Sequence, residues 1–149
     1  MLIGGRNCMN LTVVTTFYTK TFIYDFLIDT WTNRPELSFG RAGLGCTSFT
    51  DEDDINWTII SGGLLYYPDD YKLTQLLKEN SNEWTDVEIN LPLTFADLKL
   101  INFIDKAMLI EGIISGGVRI SGTDIYELEK SANGQFTWIL SDLSLKYHR

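Results

Sequence analysis

The sequence predicts an all-β fold built from three copies of one four-stranded antiparallel unit, and two spacings carry that prediction. The pentapeptide Ile59–Gly63 recurs as Ile113–Gly117, 54 residues later. Trp84 and Trp138 lie the same distance apart. Two unrelated landmarks that share one period indicate an internal repeat rather than chance.

A third copy of the pattern lies upstream of the first two. Met1–Gly5 is another apolar run that ends in a glycine pair, and Trp31 precedes Trp84 by 53 residues. The whole chain is therefore predicted to form one repeat array, with repeats at residues 1–41, 42–94 and 95–149.

Each repeat is predicted to contain short strands that follow one another in the same order. The apolar runs are rich in Ile, Val, Thr, Tyr and Phe and are separated by Gly, Asn, Asp and Pro, which is typical of strands. The first repeat has no run for an innermost strand. Four-stranded units repeated about every 50 residues are typical of β-propeller blades. The predicted strands are innermost 44–49 and 98–104, second 1–5, 57–63 and 107–115, third 21–25, 73–77 and 124–128, and a fourth beginning at each Trp.

The glycine pairs and the tryptophans have structural reasons to recur. Paired glycines at the end of a strand allow positive φ and a close approach of neighbouring backbones. A Trp on an outer strand covers the facing sheet and contributes about 2–3 kcal/mol through its buried apolar area. These residues are therefore predicted to hold the sheets together and not to contact a substrate.

The order of these features resembles the Kelch repeat of β-propellers. In that repeat an apolar strand ends in Gly-Gly, an aromatic residue precedes an acidic one, and a Trp is followed by an Arg. The first copy fits this pattern with Gly4-Gly5, Tyr24-Asp25, Trp31 and Arg41. The resemblance implies Kelch-like propeller blades, and the alternative is a β-sandwich that contains glycine pairs by chance.

The other two copies of the Kelch pattern are less complete. The second keeps Gly62, Gly63 and Trp84, but Leu77-Lys78 replaces the Tyr-Asp pair and Thr94 stands where Arg is expected. The third keeps its glycine pair and its Trp, and Tyr126-Glu127 or Leu128-Glu129 can take the third-strand position. Its matching residues are Gly116, Gly117, Trp138 and Arg149.

Three blades are fewer than a closed ring needs, because propellers usually have about 4–8 blades. We therefore expect an open or partial propeller: part of a longer polypeptide, an incomplete gene product, or a half-ring that needs a partner. An open stack leaves an apolar face at each end, and such faces favour self-association.

Charge and composition exclude several kinds of partner. The net charge of −8 argues against sequence-independent binding to nucleic acid or to an anionic membrane surface. Cys8 and Cys46 have no metal-site spacing and are expected to be free thiols. Cytoplasmic location is favoured, and sequons at Asn10 and Asn56 leave secretion open.

Little in the sequence points to catalysis, a metal or a cofactor. The one histidine, His148, has no clear Ser or Cys partner, and we predict neither catalytic residues nor a cofactor. A calcium loop at Thr50–Asp54 is the less favoured interpretation of that acidic run, because its oxygens lack the alternate spacing of such loops. A solvated turn is preferred there, and charge reversal of the run is expected to alter neither binding nor stability.

The predicted partner surface is the end of the blades that carries the connections from second to third strands. Arg and Tyr are enriched in binding hot spots, and the Kelch resemblance implies peptide binding at the same end. We therefore expect a non-catalytic interaction module for a protein or peptide, with an acidic partner favoured. The alternative functions are a small-molecule or carbohydrate-acting enzyme or a lectin. For Arg41 and Arg149 the alternative role is to anchor the links between blades. The predicted contact residues are Arg6, Arg41, Tyr66, Tyr67 and Arg119.

Overall fold

The computed structural model describes residues 1–10, 13–63, 73–87, 91, 95–114, 118–119 and 124–144. For residues 6–10, 13–15, 95–97, 111–114, 118–119 and 144 it describes the backbone alone. Gly116, Gly117, Tyr66, Tyr67, His148 and Arg149 therefore lie outside the described residues.

The described residues form antiparallel strands and contain no helix, which confirms the all-β prediction. The strands are β1 Leu2–Ile3, β2 Arg6–Asn10, β3 Val13–Phe17, β4 Thr21–Asp25, β5 Thr30–Arg34, β6 Gly45–Thr50, β7 Asn56–Ser61, β8 Thr74–Lys78, β9 Thr85–Val87, β10 Phe95–Phe103, β11 Lys106–Ile114, β12 Val118–Arg119, β13 Asp124–Lys130 and β14 Phe136–Ser144.

Three sheets follow one another along the chain. The first has the order β1-β4-β5, the second β6-β7-β8-β9 and the third β10-β11-β13-β14. The first sheet thus has three strands where the second has four, as the missing innermost run predicted.

Two short additions were not predicted as strands. Strands β2 and β3 pair as a separate hairpin between β1 and β4, and β12 pairs with the end of β11. The β3 sequence Val13–Phe17 contains only β-branched and aromatic residues, which favour a strand wherever a partner is available.

The second sheet is buried on both faces because adjacent residues of its strands point to opposite sides. Ile59 and Leu76 belong to a large apolar core shared with Leu128 and Trp138 of the third sheet. Their neighbours Ile60 and Leu77 belong to a smaller core that Ile3 of the first sheet also contacts. This double burial explains why two apolar residues stand side by side in each of these strands, Ile59-Ile60 in β7 and Leu76-Leu77 in β8.

The tryptophans of the second and third repeats pack as predicted against the preceding sheet. The indole Nε1 of Trp84 donates to the carbonyl oxygen of Pro35 at 2.8 Å, just beyond β5. The indole Nε1 of Trp138 donates to Thr74 Oγ1 of β8 at 3.2 Å. Each ring therefore supplies both apolar area and one hydrogen bond to the contact between two sheets.

The glycine pairs of the first two repeats have matching conformations. Gly4 and Gly62 both have φ of +61°, and Gly5 and Gly63 have φ of +124° and +99°. A Cβ on Gly4 would lie 2.5 Å from the carbonyl oxygen of Arg41, so no other residue fits there without movement. The positive φ and close approach predicted from the sequence are both present in these two repeats.

Candidate functional site

Arg41 is fully buried in the segment between β5 and β6, at the end of the sheets where the glycine pairs lie. Its Nη1 donates to the carbonyl oxygens of Gly62 at 3.3 Å and Leu73 at 3.1 Å. Its Nη2 donates to Gln75 Oε1 at 2.9 Å. The backbone oxygen of Arg41 accepts from Gly5 N at 2.8 Å, so one residue joins the ends of β1, β7 and β8.

Gln75 extends the Arg41 network toward the outer strand of the second sheet. Its Nε2 donates to Ser38 Oγ at 2.8 Å and also to Asp86 Oδ1. Ser38 follows β5 and Asp86 lies in β9, so the network also joins the segment after the first sheet to the second. Buried polar groups satisfied in this way hold one arrangement of the backbone.

The predicted contact residues do not all occupy the same kind of position. Arg41 has no exposed surface, and its guanidinium faces the fold interior, as in the anchoring alternative. Arg6 and Arg119 were expected in loops, but they lie in strands, where Arg6 pairs with Phe17 and Arg119 with Ile113. Strand pairing continues past the glycines there because both segments find a partner strand.

A second charged network lies at the opposite end of the sheets, in the turn between β6 and β7. Asp51 Oδ1 accepts from the backbone N–H groups of Asp53 and Ile55, both at 3.0 Å. Asp51 Oδ2 accepts from Trp57 Nε1 and Lys130 Nζ, both at 2.9 Å. Lys130 ends β13, so this carboxylate joins the second sheet to the third.

The expectation of a solvated turn is wrong for Asp51, whose side chain is only 3% exposed. Burial raises the pKa of this carboxyl, but hydrogen bonds from Lys130, Trp57 and the backbone of Ile55 and Asp53 lower it by more. The result is a pKa of about 2. The carboxylate is thus held ionised by four donors in fixed positions.

A groove of about 460 Å³ opens beside this network, between the second and third sheets. Its apolar wall includes Phe49, Leu128 and Phe136, and its rim includes Lys106 and Lys130. Lys106 Nζ lies 3.0 Å from Glu127 Oε2 and 3.3 Å from Glu129 Oε1, and the bond to Glu127 is the main reason that its pKa is raised. The lysines of the rim are therefore paired with carboxylates.

An aromatic groove of about 610 Å³ lies along the outer strands of the second and third sheets. Trp57 and Phe136 meet edge to face, with ring centroids 5.2 Å apart, and Trp138 lies beside them. Asp86 and Gln135 add polar groups to its lining. The sequence did not predict this aromatic groove: Trp57 was not singled out, and Trp138 was predicted only to hold the sheets together.

The described part of the chain lacks two further kinds of feature. No group of three or more His, Cys, Asp or Glu side chains is placed there to hold a metal ion. Among the same residues no helix has the length and hydropathy needed to cross a membrane. Cys46 lies exposed in β6 as a free thiol.

Comparison with known proteins gives a likeness of fold. A solved structure of YjhT matches with a TM-score of 0.66 and 17% sequence identity, over 95% of this chain and 48% of the YjhT chain. This chain thus spans about half the length of the solved chain that it matches. No protein-family model and no curated protein matches the sequence.

Proposed function

We propose that this chain is a set of Kelch-like β-propeller blades that acts as a non-catalytic protein-interaction module. Three repeats with one glycine and tryptophan pattern, successive packed sheets and the fold likeness to YjhT support the propeller arrangement. Each described Trp of the second and third repeats contacts the preceding sheet, which is how consecutive blades stack.

The proposed interaction role rests on one observation: the connections between strands are short at one end of the sheets and long at the other. Short turns join strands at the Asp51 end: residues 51–55, 79–84, 104–105 and 131–135. Longer connections leave the Arg41 end, where 4–20 includes the β2–β3 hairpin and 62–73 joins β7 to β8. Binding residues concentrate on long connections that a rigid scaffold positions.

Arg41 supplies the rigid base that such connections need. It fixes Gly5 and Gly62, where two of the connections begin, and Leu73, where one of them ends. We assign partner contact to four residues at this end by their position in the chain: Arg6 in 4–20, Tyr66 and Tyr67 in 62–73, and Arg119 between β11 and β13. Guanidinium groups bind carboxylates with two parallel hydrogen bonds, so the favoured partner is acidic.

The test is a binding assay with an acidic peptide selected from a displayed peptide library against the full chain. We expect Arg6→Ala and Arg119→Ala each to weaken binding by about 30-fold, the loss typical of a hot-spot arginine. The matched control is Lys106→Ala, which removes an exposed cation at the opposite end and should leave the affinity unchanged.

Two results would contradict the assignment of the Arg41 end. One is an affinity that responds to Lys106→Ala or to substitutions in residues 51–54 and ignores Arg6 and Arg119. The other is a fall in melting temperature for Arg6→Ala or Arg119→Ala that accounts for the lost binding. Both quantities are measured on the same preparations.

The aromatic groove favours a second candidate, a lectin or a small-molecule enzyme. Ligand pockets are lined mainly by aromatic and apolar side chains with a few placed polar groups, and Trp57, Phe136, Asp86 and Gln135 fit that description. Titration with a panel of mono- and oligosaccharides, followed by tryptophan fluorescence, tests it. Saturable binding that Gln135→Ala weakens, with the peptide affinity unchanged, favours this candidate over the interaction module.

A further inference from the structure

One face of the first sheet is exposed at Leu2 and Trp31, and it also carries Phe22 and Tyr24. Ile3 and Thr21 point toward the second sheet, so their strand neighbours Leu2 and Phe22 point away from it. Tyr24 and Trp31 pair directly on this outer face, with ring centroids 5.0 Å apart. Trp31 is 56% exposed and Leu2 is 55% exposed. We call this surface, Leu2, Phe22, Tyr24 and Trp31, the leading face.

The corresponding face is covered in both of the following sheets. Trp84 and Trp138 are only 7% and 8% exposed, because each packs on the sheet before it. The molecule therefore forms the same kind of contact twice and carries the residues for it a third time. In the described part of the chain no sheet packs on Trp31, the copy of this tryptophan in the first repeat.

The other end of the stack presents the opposite kind of surface. Leu98 and Leu100 of β10 face the core shared with the second sheet, so Ile101 and Phe103 of this sheet face away from it. On that outer side Met108 is only 3% exposed, and Lys106 is ion-paired with Glu127 and Glu129. Phe103 is 48% exposed. Ile101 is 36% exposed, and we call the surface of Ile101 and Phe103 the trailing face.

In each of the first two sheets, the side that corresponds to the trailing face covers the tryptophan of the sheet that follows. In the first sheet that side contributes Ile3 to the core around Trp84, and in the second it contributes Ile59 and Leu76 to the core around Trp138. A trailing face packed on the leading face would therefore form a third contact of the same kind. Every copy of the chain has one such face.

We propose that the leading face of one chain is covered by the trailing face of a second copy of the same chain, head to tail. The contact is heterologous, and because each chain carries both faces, two copies can close on each other and leave neither face exposed. The length of the YjhT chain is consistent with a closed pair. Because 95% of this chain matches 48% of the YjhT chain, two copies of this chain have about the length of one YjhT chain. The proposal does not depend on which ligand binds at the Arg41 end.

Sedimentation velocity of the full chain at micromolar concentration tests the pair. We expect a species of about 34 kDa, twice the 17.0 kDa of one chain. Trp31→Asp blocks the leading face and Phe103→Asp the trailing face, and either change alone should give a species of about 17 kDa. Leu27→Asp is the control, because Leu27 is an exposed apolar residue in the β4–β5 turn, and this variant should remain a pair.

Mixing the two blocked variants tests the direction of the contact. The Phe103→Asp chain keeps its leading face and the Trp31→Asp chain keeps its trailing face, so one intact contact can form between them. We expect the mixture to recover the 34 kDa species at higher concentration than the unchanged chain needs. Circular dichroism and melting temperature of each variant confirm that it is folded, which is expected because both positions are exposed.

Several outcomes would overturn the head-to-tail pair. They are a folded wild-type monomer at every concentration, a pair that survives Phe103→Asp or Trp31→Asp, a mixture of the two variants that stays monomeric, and open-ended oligomers larger than a pair. If Trp31→Asp alone disrupted the pair, the contact would be leading face to leading face, which also contradicts the proposal.

Discussion

The two ends of the sheets are each fixed by one buried charge, but the charges have opposite sign. At one end Arg41 donates to the carbonyl oxygens of Gly62 and Leu73. At the other end Asp51 accepts from the backbone N–H groups of Asp53 and Ile55. The positive charge lies where backbone C=O groups need a donor, and the negative charge lies where backbone N–H groups need an acceptor. Buried N–H and C=O groups must find partners.

The two networks also join different sheets, so the loss of each should weaken a different contact between sheets. Arg41 joins the segment after the first sheet to the second sheet, whereas Asp51 joins the second sheet to the third through Lys130. The core between the first two sheets is the smaller one, so its contact depends more on polar bonds. Loss of Arg41 should therefore have the larger effect.

Arg41→Ala should lower the free energy of unfolding by about 3 kcal/mol, since hydrogen bonds from a charged donor to buried acceptors contribute about 1.5–3 kcal/mol each and are not additive. Two backbone carbonyls and Gln75 would lose their donor in a site closed to water. Urea unfolding followed by tryptophan fluorescence measures the change.

Two further variants sharpen the Arg41 prediction. Arg41→Lys keeps the charge but not the planar fork, so its stability should lie between those of the wild type and Arg41→Ala. Lys20→Ala removes an exposed cation near the same end and should change stability by less than about 0.5 kcal/mol. An Arg41→Ala protein as stable as the Lys20→Ala protein would show that the network adds nothing to folding.

Asp51→Asn should cost about 2 kcal/mol at neutral pH, because it removes a charge that accepts four hydrogen bonds, one of them from Lys130. Asp54→Asn is the matched control. Asp54 is exposed in the same turn, and its φ of +58° is a conformation that Asn tolerates well. Equal stability of the two variants in urea would contradict a structural role for Asp51.

The same carboxylate should make stability depend on pH in the acid range. Its pKa is lowered from 3.8 to about 2 in the folded protein. Its contribution to the free energy of unfolding is therefore complete above pH 3.8, the pKa in the unfolded chain, and is lost as pH falls through about 2. The stability gap between the wild type and Asp51→Asn should therefore narrow as pH falls from about 5 to about 2. A gap that stays constant over this range would rule out the ionised carboxylate as its cause.

The smallest effect is expected for Lys106→Ala, which breaks two ion pairs on the outer side of the third sheet. The Lys106 side chain is half exposed, and exposed pairs contribute at most about 1 kcal/mol because water and salt screen them. Thermal unfolding at low and high salt should show a difference that disappears in high salt. A larger loss that salt does not reduce would mean that the pairs are shielded from solvent.

The positions of many strands follow from the sequence because their signals are local. Second strands were predicted near 1–5, 57–63 and 107–115 and lie at Leu2–Ile3, Asn56–Ser61 and Lys106–Ile114. The conformations of Gly4 and Gly62 were also predictable, since only glycine adopts positive φ freely. The Kelch assignment and the partner surface remain predictions, and Tyr66, Tyr67 and Gly116 lie outside the described residues.

The sequence by itself determined the all-β class, because strand propensity is a property of neighbouring residues, and it shows which residues recur after 54 positions. Only the tertiary structure decided which charges are buried. Arg41 and Gln75 are 34 residues apart, and Asp51 and Lys130 are 79 residues apart. Burial and pairing of such groups depend on how separate sheets pack, which no local pattern in the chain encodes.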